Sequence, residues 1–162
     1  MTLSERQREE ANKQLANQFY DAFNRHDSEA MSQLLSTSAA NYTFYFSGMP
    51  ATDWNGRKQF VANVIAAFPD INHHILDIIA EGSKVAIRFR ITGTHKGEFQ
   101  GIPATGKRIS VDCINFLTIK HGKILEEWSN SDMIGLMRQI GAMPRESLPP
   151  VAVNSSNNEA SS

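Results

Sequence analysis

The chain has 162 residues, 41% of them hydrophobic, which fits one domain whose single core removes roughly 70% of the extended chain's surface from water. Its formal charge of -1 comes from 16 basic and 17 acidic residues interspersed along the sequence, so no continuous positive field exists to hold a nucleic-acid backbone or an anionic membrane. Met1 to Lys13 is charged and lacks the apolar centre of a secretory leader, and no run approaches the roughly 20 apolar residues of a membrane span, which sets the expectation of a cytoplasmic protein.

Leu15, Phe19 and Phe23 recur at intervals of four, with Ala16 and Tyr20 beside them, and predict a first helix ending near Asn24 to His26. Asp27 is placed to cap a short second helix carrying Met31, Leu34 and Leu35, because its carboxylate can accept from the unpaired N–H groups of the first turn. Asn41 to Phe46 is rich in aromatic and β-branched residues and reads as a strand, broken by Gly48, Met49 and Pro50. A third helix carries the stripe Phe60, Val61, Val64, Ile65 and Phe68 and stops at Pro69, which cannot continue it.

Four further strands follow, over Ile71 to Ala80, Lys84 to Thr94, Lys107 to Lys120 and Lys123 to Asn130, separated by glycine-bearing turns. Helices gathered at the start and consecutive antiparallel strands at the end predict an α+β domain over residues 1–146, with a curled sheet whose concave face the helices cover. Such a sheet leaves a cone-shaped cavity. From Ser147 the composition turns to Pro, Ser, Asn and Val without periodicity, which predicts a mobile polar tail over 147–162.

Gly101-Ile-Pro-Ala-Thr-Gly-Lys107 matches the first seven positions of a phosphate-binding P-loop, but Arg108 stands where that motif needs Ser or Thr, and the residues after it are β-patterned rather than helical. The adjacent pair His73-His74 would point to opposite faces of a strand and cannot easily share a metal ion. Cys113, the single cysteine, lies in a buried-looking strand and excludes an intramolecular disulfide.

The candidates for chemistry are few. His95 falls in phase with Val85, Ile87, Phe89 and Ile91, so it is either a core-edge histidine bonded to backbone or an acid, base or donor lining the cavity. Glu126, Trp128, Asn130 and Asp132 alternate onto one face of the last strand. Asp132 then begins the final helix, Met133 to Ile140, as its N-cap, and the same carboxylate can serve as base or acid in an apolar cavity. Trp128 offers a flat cavity wall, or is plain core. Asn115, in phase with Cys113, Leu117 and Ile119, needs hydrogen-bond partners and is a structural bonder or a ligand contact. Tyr20 and Asn24, one helical turn apart, and Tyr45, on the inner surface of the first strand, complete the set of candidate substrate contacts.

Gly93-Thr-His95, Gly97, Phe99, Gly101, the Pro103 to Lys107 turn, Gly122-Lys-Ile124, Glu126, Trp128, Asp132 and Gln139-Ile-Gly141 together resemble the SnoaL-like polyketide (ester) cyclases of the nuclear transport factor 2-like superfamily. Tyr20-Asp-Ala-Phe-Asn24 is similar to that family's first helix, and the resemblance spans about Gln14 to Ala142. It implies a cone-shaped α+β barrel, self-association through the outer face of the sheet, no metal or organic cofactor, and intramolecular aldol closure of a hydrophobic carbonyl-bearing substrate with Asp132 as acid and base. His95, Asn115 and Trp128 are carried over only as pocket residues. Related folds also dehydrate, isomerise, open epoxides or only bind ligands, and all of these fit a carboxylate and a polar partner in an apolar pocket. Asn115 departs from the pattern, since an acid is frequent there.

Overall fold

A computed structural model describes residues 3–36 and 41–144 of the chain; the expected tail over 147–162 lies outside the described residues. The elements run α1 (Glu5–Asn24), α2 (Ser28–Gln33), β1 (Thr43–Phe46), α3 (Trp54–Ala67), β2 (Asn72–Glu81), β3 (Lys84–Thr94), β4 (Arg108–Lys120), β5 (Lys123–Ser131) and α4 (Met133–Gln139). Each helix starts where a side chain can accept an otherwise unpaired N–H: Ser4 for α1, Asp27 for α2, Asp53 for α3 and Asp132 for α4.

The five strands form one sheet in the order β1-β5-β4-β3-β2. Consecutive strands β2 to β5 pair antiparallel, whereas β1 pairs parallel to β5, with Phe44 opposite Glu127 and Tyr45 opposite Trp128. Register shifts between Ile75 and Asp77 and between Thr118 and Ile119 mark irregularities that increase local twist and help the sheet curl. Its concave face carries Val85, Ile87 and Phe89 from β3 and Val111, Cys113 and Leu117 from β4, all buried. Helix α1 lies mainly across β2, pressing Ala16, Phe19, Tyr20 and Phe23 into that face. This is the curved α+β barrel the pattern predicts.

The convex face carries the ion pairs Lys84–Glu126, Arg88–Asp77 and Arg90–Asp112, and between them one apolar row. Ile79, Ala86, Phe116, Trp128 and Tyr45 are successive ladder partners and form one row across all five strands. Ile79, Phe116 and Trp128 are 69%, 50% and 49% exposed. Two expectations are corrected here. Trp128 is no cavity wall, and Tyr45 does not face inward; their rings stack on the outer surface with centroids 3.7 Å apart. The reason is register: Phe44 and Phe46 take the inner positions of β1, and Glu127, Ser129 and Ser131 take those of β5. Glu126, Trp128 and Asn130 therefore share the outer face.

Candidate functional site

Beneath the helices a cavity of about 70 Å³ narrows into the sheet, walled by Phe23, Phe44, Phe46, Phe60, Phe89 and other apolar side chains. Its polar groups enter from five elements, with Asp132 just past the end of the last of them. Tyr20 comes from α1, Arg57 from α3, His73 from β2 and Asn115 from β4, while Ser129, Ser131 and Asp132 step along β5 toward the mouth.

The floor is built on Glu127, which has no exposed surface. Its Oε2 accepts from Arg57 Nε at 2.9 Å and from the Tyr42 hydroxyl at 2.8 Å. Its Oε1 accepts from Arg57 Nη2 at 2.9 Å and from Asn115 Nδ2 at 3.3 Å. The guanidinium is held from the other side by aromatic faces, its Cζ lying 4.4 Å from the Phe44 ring centre and 5.4 Å and 5.5 Å from those of Phe23 and Phe60. Burial works against the Arg57 charge, but Glu127 and then Tyr42 outweigh it, and its pKa rises. The guanidinium stays charged, and its bond to the Glu127 carboxylate makes the ion pair internally neutral.

The orientation of Asn115 follows from this chemistry. A carboxylate only accepts, so the amide nitrogen must face Glu127, and the same nitrogen also donates to the Tyr20 hydroxyl at 2.6 Å. Asn115 consequently turns an acceptor, Oδ1, away from Glu127, and among the described residues that oxygen has no partner. Asn115 therefore has an acceptor and not a donor left to offer a ligand. Tyr20 keeps its proton: burial, and next the nearby Glu127 charge, push its pKa well up, and the hydroxyl has no acceptor among the described residues.

His73 packs against Phe23 at 4.3 Å between ring centres and is held by Asn24, whose Oδ1 accepts from the His73 backbone N–H at 2.7 Å and sits 3.1 Å from Nδ1. The carboxamide nitrogen of Asn24 donates back to the His73 carbonyl at 3.1 Å. Asn24 is thus corrected from substrate contact to the clasp that fastens α1 to β2. Burial, followed by the Arg57 and His74 charges, lowers the His73 pKa to about 3, so the ring is neutral. His74 points to the opposite face and bonds Thr92.

His95 is fully buried but does not line the cavity. It sits behind Phe68, with ring centres 5.4 Å apart, and Thr105 occupies its Nδ1 through the hydroxyl at 2.9 Å and the backbone N–H at 3.3 Å. The strand phase that pointed it inward is real, but β3 ends at Thr94, and the following loop folds over it. That loop docks on the end of α3, where Lys96 and Gly97 N–H groups donate to the Ala67 carbonyl and a Cβ on Gly97 would lie 2.2 Å from the Ala66 oxygen. The approach needs glycine, and it seats Phe99 against Phe68 at the cavity wall.

Asp132 lies exposed at the mouth. Strand alternation would send it outward with Trp128, but β5 ends at Ser131 and the chain turns into α4. One carboxylate oxygen caps the helix by accepting from the Gly135 N–H at 2.7 Å. A Cβ at position 135 would stand 2.1 Å from the other oxygen, so Gly135 leaves it room. Asn115 is opposite Ser129 in the ladder, so Asp132 is three positions nearer the mouth, about 10 Å along the strand.

Sequence reasoning missed Arg57, Glu127, Tyr42 and His73. Arg57 carried a signal, since it precedes Phe60 and Val61 by three and four residues on the same helical stripe, where a charge demands a buried partner. Among the described residues no group of three or more His, Cys, Asp or Glu side chains could hold a metal ion, and no helix is long and apolar enough to cross a membrane.

The sequence profile of the SnoaL-like polyketide cyclases matches residues 14–140. Aklanonic acid methyl ester cyclase DnrD of Streptomyces peucetius is 37% identical over 60 residues, which are 37% of this chain and 41% of that protein. The match therefore spans about two fifths of the relative's length. Among solved structures, AclR of Streptomyces galilaeus, provisionally called a hydroxylase, superposes with a TM-score of 0.74 at 28% identity, covering 82% of this chain and 97% of its own. IdmH of Streptomyces antibioticus, provisionally called a polyketide cyclase, gives 0.71 at 27%, covering 80% and 98%.

Proposed function

The chain belongs to the SnoaL-like polyketide cyclase family, and from that premise we propose that it closes a ring in a hydrophobic, carbonyl-bearing polyketide-like substrate by intramolecular aldol addition. Asp132 removes a proton from the carbon beside a carbonyl, and the resulting enolate carbon attacks a second carbonyl of the same molecule. The new alkoxide takes the proton back from the Asp132 carboxyl group. The product is an isomer of the substrate, and the proton balance needs no cofactor.

The observation that carries this reading is a carboxylate with one oxygen left free by Gly135 at the mouth of an apolar cavity whose interior donors include the Tyr20 hydroxyl. A fixed donor in a water-poor pocket stabilises enolate charge more than water does. The separation of about 10 Å between the levels of Asp132 and Asn115 favours a conjugated substrate, in which charge created at the mouth spreads to an oxygen held deeper.

Aklanonic acid methyl ester, the substrate in the name of the DnrD relative, is the first probe. Ring closure gives a product of unchanged mass and altered absorbance and chromatographic retention. Asp132→Asn keeps the helix cap, since Asn caps as well as Asp, and is expected to lower turnover by about 10²–10⁴-fold with the melting temperature unchanged. Wild-type turnover in that variant would remove Asp132 from the mechanism, and an uncyclised product lighter by one water would replace aldol closure with dehydration.

A further inference from the structure

The cavity floor holds two unmatched polar atoms of opposite sense. Arg57 Nη1 and Asn115 Oδ1 are buried without a partner among the described residues, on residues only 3% and 2% exposed. Leaving such a group unpaired is destabilising, because its bond to water is lost on burial and nothing replaces it. Their placement is coordinated. Arg57 Nη2 and Asn115 Nδ2 bond the same oxygen, Glu127 Oε1, so Nη1 and Oδ1 are each the second terminal atom of a group anchored at one point. Both residues line the cavity.

We infer that this floor is a subsite for a neutral substrate edge carrying a hydroxyl near a carbonyl: Arg57 Nη1 donates to the carbonyl oxygen, and Asn115 Oδ1 accepts from the hydroxyl. The inference rests on the cavity being the substrate site. It excludes a carboxylate or phosphate edge, because Glu127 already neutralises Arg57 and an anion would meet Asn115 Oδ1 and the Glu127 charge at close range. It also excludes a purely apolar edge, which would leave both atoms unpaired. Asp132 lines the same cavity, so a substrate whose oxygenated edge meets the floor extends from there toward Asp132.

The test is equilibrium binding to the wild-type protein, followed by amide NMR shifts, for five probes: 1-tetralone, 7-hydroxy-1-tetralone, 8-hydroxy-1-tetralone and the methyl ethers of the two hydroxy ketones. The two isomers differ in whether the hydroxyl is already turned to its own carbonyl. The methyl ether retains the oxygen but loses the proton that Asn115 Oδ1 would accept. The expected result is that at least one hydroxy ketone binds about tenfold or more tighter than both its ether and 1-tetralone, with shifts at Asn115 and Arg57. Arg57→Lys, which keeps a cation beside Glu127, should weaken all five probes, because it removes the donor to the carbonyl they share. Affinities within twofold across all five probes overturn the inference, and this ratio stands even if the variant fails to fold. The ratio is read without turnover. A protein that discriminates but closes no ring keeps the subsite and loses the cyclase reading; ring closure without discrimination removes the subsite alone.

Discussion

Glu127→Gln is the most direct perturbation of the floor. Each carboxylate oxygen accepts two hydrogen bonds, Oε1 from Arg57 Nη2 and Asn115 Nδ2, and Oε2 from Arg57 Nε and Tyr42. Either orientation of the glutamine amide sets an NH₂ group against two donors and leaves the Arg57 charge buried without a counter-ion. Removing one partner of such a pair costs about 3–5 kcal/mol. For a domain of this size, each kcal/mol moves the melting temperature by about 2–4 °C. Urea unfolding followed by far-UV circular dichroism measures the loss. A change below about 1 kcal/mol, with the slope against urea unaltered, would refute the claim that Glu127 is the carboxylate that makes a buried arginine tolerable. The paired replacement Arg57→Met with Glu127→Leu should return most of the lost stability, because apolar side chains of similar volume avoid the desolvation cost of both ions.

Two further outcomes follow from the same structure. His73 has a folded-state pKa of about 3 against about 6.5 in the unfolded chain, so its contribution is complete above pH 6.5 and is lost as pH falls toward 3; between pH 7.5 and 5.0 the protein should lose roughly 2 kcal/mol of stability, and His73→Gln should lose much less over that interval. An equal pH dependence in the variant would assign the effect to other groups. The apolar row across the outer face of the sheet predicts a homodimer, so sedimentation at micromolar concentration should show twice the 18.0 kDa chain mass, and Phe116→Glu should return the monomer; a wild-type monomer would refute it.

Much of this protein was determined by local sequence. Asp27 and Asp132 announce helix starts because a capping carboxylate acts within three residues, and Pro69 ends α3's run because proline blocks its own neighbourhood. Alternation over Lys84–Thr94 and Arg108–Lys120 locates β3 and β4 almost to the residue, since burial on one face repeats every second position. Tyr20 and Asn115 were placed in the cavity by the same periodicities. Alternation does not say which of two faces is inner when both are apolar. Alternation groups Trp128 with Glu126 and Asn130 without saying that this face is the outer one, the outer face also carries an apolar row, and the pairing of β5 with β1 and β4 decides that Glu127 and Phe44 turn in. Periodicity also fails past a strand's end: His95 was carried in phase to a position that Phe68 and the folded-back loop close off, while Asp132 escaped the outward face because the chain bends after Ser131. The floor was furthest from sequence reach. Arg57, Asn115 and Glu127 lie on separate elements, and a buried charge becomes tolerable only when its counter-ion arrives from 70 residues away, which is a property of the closed barrel and not of any segment within it.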